Sequence, residues 1–149
     1  MRIEDEIKQE QFIDEYQKAY INLVFTSSRL QVKQAALFKP YGLTLPQFNI
    51  LRILRGQHPK PATITLLIER MMDKTSNASR IVDRLEAKKL VTRKQCSEDR
   101  RTVDVLITEK ALKLLKAMDG CEGGKGTGIA NLTETEAREL NRILDKIRS

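Results

Sequence analysis

The chain of 149 residues holds one histidine, His58, and two cysteines, Cys96 and Cys121. His58 stands in a polar Gly-Gln-His-Pro turn, and the cysteines show neither metal-ligand spacing nor a disulfide framework. No nucleophile, base and orienting group recur together, so the chain is read as a non-enzyme with no metal and no cofactor. A Gly-Lys-Gly-Thr string at 124–127 lacks the preceding buried strand and the fixed first glycine of a phosphate-cradling loop.

Charged chemistry concentrates elsewhere. Between Lys74 and Arg101 stand nine cations (Lys74, Arg80, Arg84, Lys88, Lys89, Arg93, Lys94, Arg100 and Arg101) against four anions, Asp83, Glu86, Glu98 and Asp99, in a chain whose net charge is +7. Cations spread evenly would keep a protein soluble; gathered in one stretch they make a footprint for a polyanion. The same stretch carries short polar side chains. At about 100° per residue, Ser76, Ser79, Arg80 and Asp83 lie opposite an apolar stripe of Ala78, Ile81, Val82 and Leu85, with Thr75 and Asn77 flanking. Such a face suits close entry into the major groove of double-stranded DNA, where Asn pairs with adenine edges and Arg with guanine or phosphate. An ordinary solvated helix face is the alternative.

Elements of definite kinds must position these groups. Asp73 is the expected N-cap of a helix running through Lys74–Lys89. After it, Val91 and the alternating Val103, Val105 and Ile107 flank a basic hairpin, the period-two sign of a half-buried strand pair. Upstream, Thr44-Leu45-Pro46-Gln47 reads as a capping box opening a helix through Phe48, Ile50, Leu51, Ile53 and Leu54. Thr63 or Thr65 opens the next, through Ile64, Leu67, Ile68 and Met71, joined tightly to the basic helix in a helix-turn-helix. Residues 1–37 read as one long helix with a stripe of Ile3, Ile7, Ile13, Tyr16, Tyr20, Leu23, Ser27 and Leu30. Two readings fit it: burial against a second subunit, or an intramolecular core helix. Thr133-Glu134-Thr135-Glu136 is a further capping box before an amphipathic helix with Ala137, Leu140, Ile143, Leu144 and Ile147.

The expected fold is therefore mainly α with a small β-wing, a winged helix-turn-helix over about 43–108 flanked by terminal helices over 1–37 and 109–149, all in a single domain 1–149. With no apolar leader and no run of bilayer length, the expected location is cytoplasmic and no membrane partner is expected. Five of the seven glycines fall in 119–128. At roughly 0.8–1 kcal/mol each relative to Ala, they are expected to break, kink or disorder any helix there.

In order along the chain, Leu43-Thr44-Leu45-Pro46-Gln47-Phe48, Ser79-Arg80-Ile81-Val82-Asp83-Arg84-Leu85-Glu86, Leu90-Val91, Asp99-Arg100-Arg101 and Leu106-Ile107-Thr108-Glu109-Lys110 resemble the MarR family of winged helix-turn-helix transcriptional regulators. The resemblance implies a homodimer interlocked through its first and last helices, acting as a ligand-responsive repressor on a pseudo-palindromic operator. The polar face and the basic stretch themselves set the expected DNA contacts at Lys74, Thr75, Ser76, Asn77, Ser79, Arg80, Arg84 and Arg93. At the wing tip the resemblance implies an Asp99–Arg101 pair with Arg100 beside it. A small aromatic or phenolic effector is implied between the dimer helices and the winged region, with Tyr16, Tyr20, Phe48 and Arg52 as lining candidates beside their reading as core. Cys96, next to Arg93 and Lys94, leaves a thiol-based oxidant sensor as an alternative input. Lys89 departs from the family pattern, which has glycine there to leave the helix in a left-handed conformation. A non-specific nucleic-acid-binding or protein-interaction winged helix is the functional alternative.

Overall fold

The computed structural model describes residues 1–95, 102–121 and 128–149. In chain order its elements are α1 (Ile3–Ile7), α2 (Glu15–Phe38), α3 (Leu45–Gln57), β1 (Ala62–Thr63), α4 (Ile64–Arg70), α5 (Ala78–Ala87), β2 (Val91–Gln95), β3 (Val103–Ile107), α6 (Glu109–Ala117) and α7 (Glu134–Arg148), with short 3-10 turns at Lys39–Tyr41 and Asp119–Cys121. The strands form one antiparallel sheet ordered β1-β3-β2, with Val91 opposite Ile107, Arg93 opposite Val105 and Ala62 also opposite Val105. Mainly α with a small β-wing is the architecture observed.

Helix starts follow local capping chemistry. Thr44 Oγ1 accepts from the Gln47 N–H at 3.4 Å while Gln47 Oε1 accepts from the Thr44 N–H at 3.2 Å, closing the box at the head of α3. Thr63 caps α4 and Thr108 caps α6 through the hydroxyl alone, and Thr133 with Glu136 closes a second box at the head of α7. The core sits among α3, α4, α5, α6 and the sheet, where Ile50, Leu51, Leu67, Val82, Leu85, Val105 and Leu115 are buried. Phe38, at the end of α2, joins it by stacking on Phe48 with ring centroids 4.5 Å apart.

Two helix boundaries differ from the sequence-based expectation. The long helix over 1–37 is two elements: α1 ends with Lys8 in the left-handed region (φ 57°), and α2 begins after Asp14, whose carboxylate accepts from the Gln17 N–H at 2.7 Å. The polar run Lys8-Gln9-Glu10-Gln11 offers no apolar stripe to carry a helix across, and Asp14 supplies a competing start. Glu4 pairs with Lys18 and Glu6 with Arg29, each at 2.7 Å, laying α1 along α2. The basic helix likewise begins later than expected. Asn77, not Asp73, is its cap, accepting from the Arg80 N–H at 3.0 Å. Asp73 is occupied in the turn before it.

At its far end α5 closes in a Schellman motif. The Lys89 N–H donates to the Glu86 carbonyl at 2.8 Å and the Leu90 N–H to the Leu85 carbonyl at 3.0 Å, with Lys89 at φ 60°. The helix ends where glycine would ordinarily stand, and a lysine adopts the left-handed conformation instead. The glycine-rich expectation at 119–128 falls mostly on residues 122–127, outside the described residues; Gly128 has φ 82°.

Candidate nucleic-acid interface

The turn leading into α5 is built around one carboxylate. Asp73 Oδ2 accepts from the Ser76 hydroxyl at 2.6 Å, and Oδ1 accepts from the Thr75 hydroxyl at 2.6 Å and the Thr75 N–H at 2.9 Å. These bonds favour the ionised form, led by that from Ser76 and then those from Thr75, and hold the Asp73 carboxyl at about 2. Lys74 turns the other way, donating through Nζ to the Ile68 carbonyl at 2.9 Å and to that of Glu69, at the C-terminal end of α4. Four of the polar residues proposed from sequence as DNA contacts are thus engaged locally: Lys74 on α4, Thr75 and Ser76 on Asp73, and Asn77 as helix cap. They shape the entry to α5.

The outer face of α5 presents Ser79, Arg80, Asp83 and Arg84, all exposed. Arg93, on β2, reaches across to this helix. Its guanidinium donates to Asp83, lies 3.7 Å from Glu86 and donates to the Ser79 carbonyl at 3.1 Å, with the side chain 28% exposed. Arg93 is therefore a strut from wing to helix, and it occupies the carboxylates that would otherwise oppose the neighbouring cations. Among the described residues Arg80 and Arg84 have no carboxylate partner.

Between α5 and the head of α3 lies a cleft of about 430 Å³, lined by Thr44, Pro46 and Gln47 on one side and Ser76, Asn77, Arg80, Ile81 and Arg84 on the other. The guanidinium groups of Arg80 and Arg84 in its wall make this cleft favourable to anions. Lys88 fastens the two walls: its Nζ donates to the Gly42 carbonyl at 2.6 Å and to Gln47 Oε1 at 3.0 Å. The part played by Thr44 and Gln47 in this cleft was missed from sequence, where the capping box signalled only a helix start. The second wall is 29 to 40 residues away along the chain and appears only on folding.

In this chain a helix-turn-helix with an arginine-bearing second helix is braced by an antiparallel wing. A profile of the MarR family matches residues 43–103. A MarR transcription factor of Planctomyces limnophilus is 30% identical over 93% of this chain and 98% of its own, with a TM-score of 0.67. This chain belongs to the MarR family. The HTH-type transcriptional regulator MgrA of Staphylococcus aureus is similar at 29% identity over 111 residues, 74% of each chain. The fold is also similar to that of Bordetella bronchiseptica BpsR, described as regulated in its DNA binding by 6-hydroxynicotinic acid, at a TM-score of 0.78 and 21% identity over 94% of this chain and 99% of that one.

As a MarR-family transcriptional regulator, the chain carries its DNA-binding winged helix on α3–β3. The wing-tip residues Asp99, Arg100 and Arg101, with Cys96, lie outside the described residues. Cys121 is half-buried and packs against the core. Of the residues expected around an effector, Phe48 is in the core against Phe38, whereas Tyr16, Tyr20 and Arg52 are exposed. None of the four lines the 430 Å³ cleft or a second, open cavity of about 450 Å³ bordered by α2, the head of α3 and the segment between α4 and α5. Phe48 is drawn inward because it falls on the same side of α3 as Leu51, at a spacing of three. Among the described residues no group of His, Cys, Asp and Glu could hold a metal ion, and no helix is long and apolar enough to cross a membrane.

Proposed function

We propose that the chain works as a homodimeric, sequence-specific repressor on a pseudo-palindromic operator, and that a small molecule relieves its binding. The observation that carries this reading is the pair of uncompensated guanidinium groups, Arg80 and Arg84, on a helix fixed at both sides by the Asp73 turn and the Arg93 strut. Arg80 serves as the base reader, with Ser79 beside it. Arg84 holds phosphates, and the wing-tip Arg100 and Arg101 complete the contact. Lys74, Thr75, Ser76, Asn77 and Arg93 act by positioning.

Dimerisation is supported by apolar surface on the terminal helices. Tyr16 is 86% and Tyr20 68% exposed on α2; on α7 no residue is buried, and Leu140, Ile143 and Ile147 all face out. Apolar stripes of this length are normally covered by a partner. In this reading 1–37 and 109–149 dimerise, and about 43–108 binds DNA as part of a single domain in the cytoplasm. The small-molecule response is supported by the 450 Å³ cavity beside the link to α5.

A mobility-shift titration with an operator selected from genomic fragments and its scrambled counterpart, at two salt concentrations, tests the reading. Specific binding that weakens steeply with salt is expected for several phosphate contacts. Equal affinity for the two duplexes would leave a non-specific winged helix in its place.

A further inference from the structure

The turn into α5 fixes the hydrogen-bonding sense of three side chains as well as the path of the chain. A hydroxyl has one proton to give, and an ionised carboxylate has none. The Asp73 carboxyl lies at about 2, so in its two 2.6 Å contacts the protons come from the Thr75 and Ser76 hydroxyls. Each of those oxygens keeps only lone pairs for any other partner. Asn77 is set the opposite way. Its Oδ1 accepts from the Arg80 N–H at 3.0 Å, and reversing the amide would set two donors against each other. Its NH2 group makes no hydrogen bond to a described residue. Thr75 and Asn77 are exposed, and Ser76 and Asn77 line the same cleft as Arg80 and Arg84.

We infer that this entry turn reads the major groove with a fixed polarity, Thr75 and Ser76 accepting from the amino groups of adenine or cytosine and Asn77 donating to the acceptor edge of guanine. The inference rests on the sequence-specific binding proposed above and gives these residues a reading role beside their positioning one. In the major groove guanine shows acceptors only, cytosine an amino donor and adenine one of each. Serine and threonine ordinarily pair with either kind of edge, a freedom that Asp73 removes. An oxygen with no proton to give is repelled by guanine and by phosphate, and it is matched by an amino group. The two-point contact of asparagine with adenine, expected from the sequence, needs the amide oxygen that the cap of α5 occupies. Guanine's neighbouring N7 and O6 suit the NH2 group that remains. The N-terminal end of a recognition helix is the part that meets base edges, so the polarity is set where it is read.

Base analogues placed one at a time in the selected operator provide the test, titrated by fluorescence anisotropy into the full-length protein. Purine for adenine and pyrimidin-2-one for cytosine delete the amino group, and 7-deazaguanine deletes N7. At one amino-deleted position or more, wild type should bind about five-fold more weakly, whereas Ser76→Ala or Thr75→Val should change by under about two-fold. At one 7-deazaguanine position or more the same contrast is expected between wild type and Asn77→Gly, glycine being a cap that costs the helix little. The base-pair bond lost with an amino group is common to every protein titrated, so the difference between proteins reports the contact. The inference is overturned if no amino-deleted duplex shows this contrast with either hydroxyl variant, or if no 7-deazaguanine duplex shows it with Asn77→Gly. It is overturned too if both hydroxyl variants lose affinity equally for operator and scrambled duplex, as phosphate contacts would. Specific binding by wild type without these contrasts removes the polarity alone; equal binding of operator and scrambled duplex by wild type removes the sequence-specific reading with it.

Discussion

Replacing Lys89 by glycine should stabilise the protein. Lys89 holds φ 60° so that its N–H and that of Leu90 can reach the Glu86 and Leu85 carbonyls, and its own carbonyl accepts from the Thr108 hydroxyl at 3.0 Å. An L-residue in this region costs roughly 1–2 kcal/mol, which glycine does not incur. Glycine's larger unfolded-state entropy returns about 0.4–1 kcal/mol of that. The Lys89 side chain is exposed and makes no ion pair among the described residues, so its loss subtracts little. The net gain is about 1 kcal/mol, equal to a rise in Tm of roughly 2–4 °C for a chain of this size. Urea and thermal unfolding at fixed protein concentration measure it, with Lys89→Ala as control. Alanine retains the Cβ and with it the strain, so it should bring little gain. A glycine variant no more stable than wild type, or an alanine variant equally stabilised, would refute the reasoning.

Further outcomes follow from the same contacts. Arg93→Ala frees Asp83 and Glu86 beside Arg80 and Arg84 and loosens the wing; operator affinity should fall about ten-fold while stability falls by under about 1 kcal/mol, since the pair is partly exposed. Fluorescence anisotropy and urea unfolding separate the two, and unchanged affinity would remove the strut's role in DNA binding. The Asp73 carboxyl lies below its ordinary 3.8, at about 2, so its contribution is complete above pH 3.8 and is lost as the pH falls toward 2. The amide resonances of Thr75 and Ser76 should accordingly titrate with a midpoint near 2 and stay constant from pH 5 to 8; a midpoint at 3.8 or above would contradict the turn as described.

Sequence reading reached the features governed by local rules. The boxes at Thr44 and Thr133 and the caps at Thr63 are contained within three or four residues, and the hairpin shows its alternation directly. It went astray where two local solutions compete, at Asp14 within the N-terminal stripe and at Asp73 against Asn77, because a carboxylate satisfies a turn as readily as a helix end. It could not foresee how individual charges are spent. Lys74, Lys88 and Arg93 all counted as phosphate-facing cations, yet their partners are the α4 carbonyls, Gly42 with Gln47, and Asp83 with Glu86, fixed by tertiary proximity. The same holds for Asn77, whose amide oxygen is taken by the helix cap only in the folded protein.

The central claim is that α5 reads DNA sequence through Arg80. Its most direct test is the ratio of operator to scrambled-duplex affinity for Arg80→Ala beside wild type, at one salt concentration and with folding checked by circular dichroism. The loss of a good bidentate base contact is worth about 1–3 kcal/mol of discrimination, so the ratio should fall at least about five-fold, with operator affinity falling more than scrambled. A variant whose operator and scrambled affinities fall equally would make Arg80 a phosphate contact, and the claim that it reads bases would be wrong.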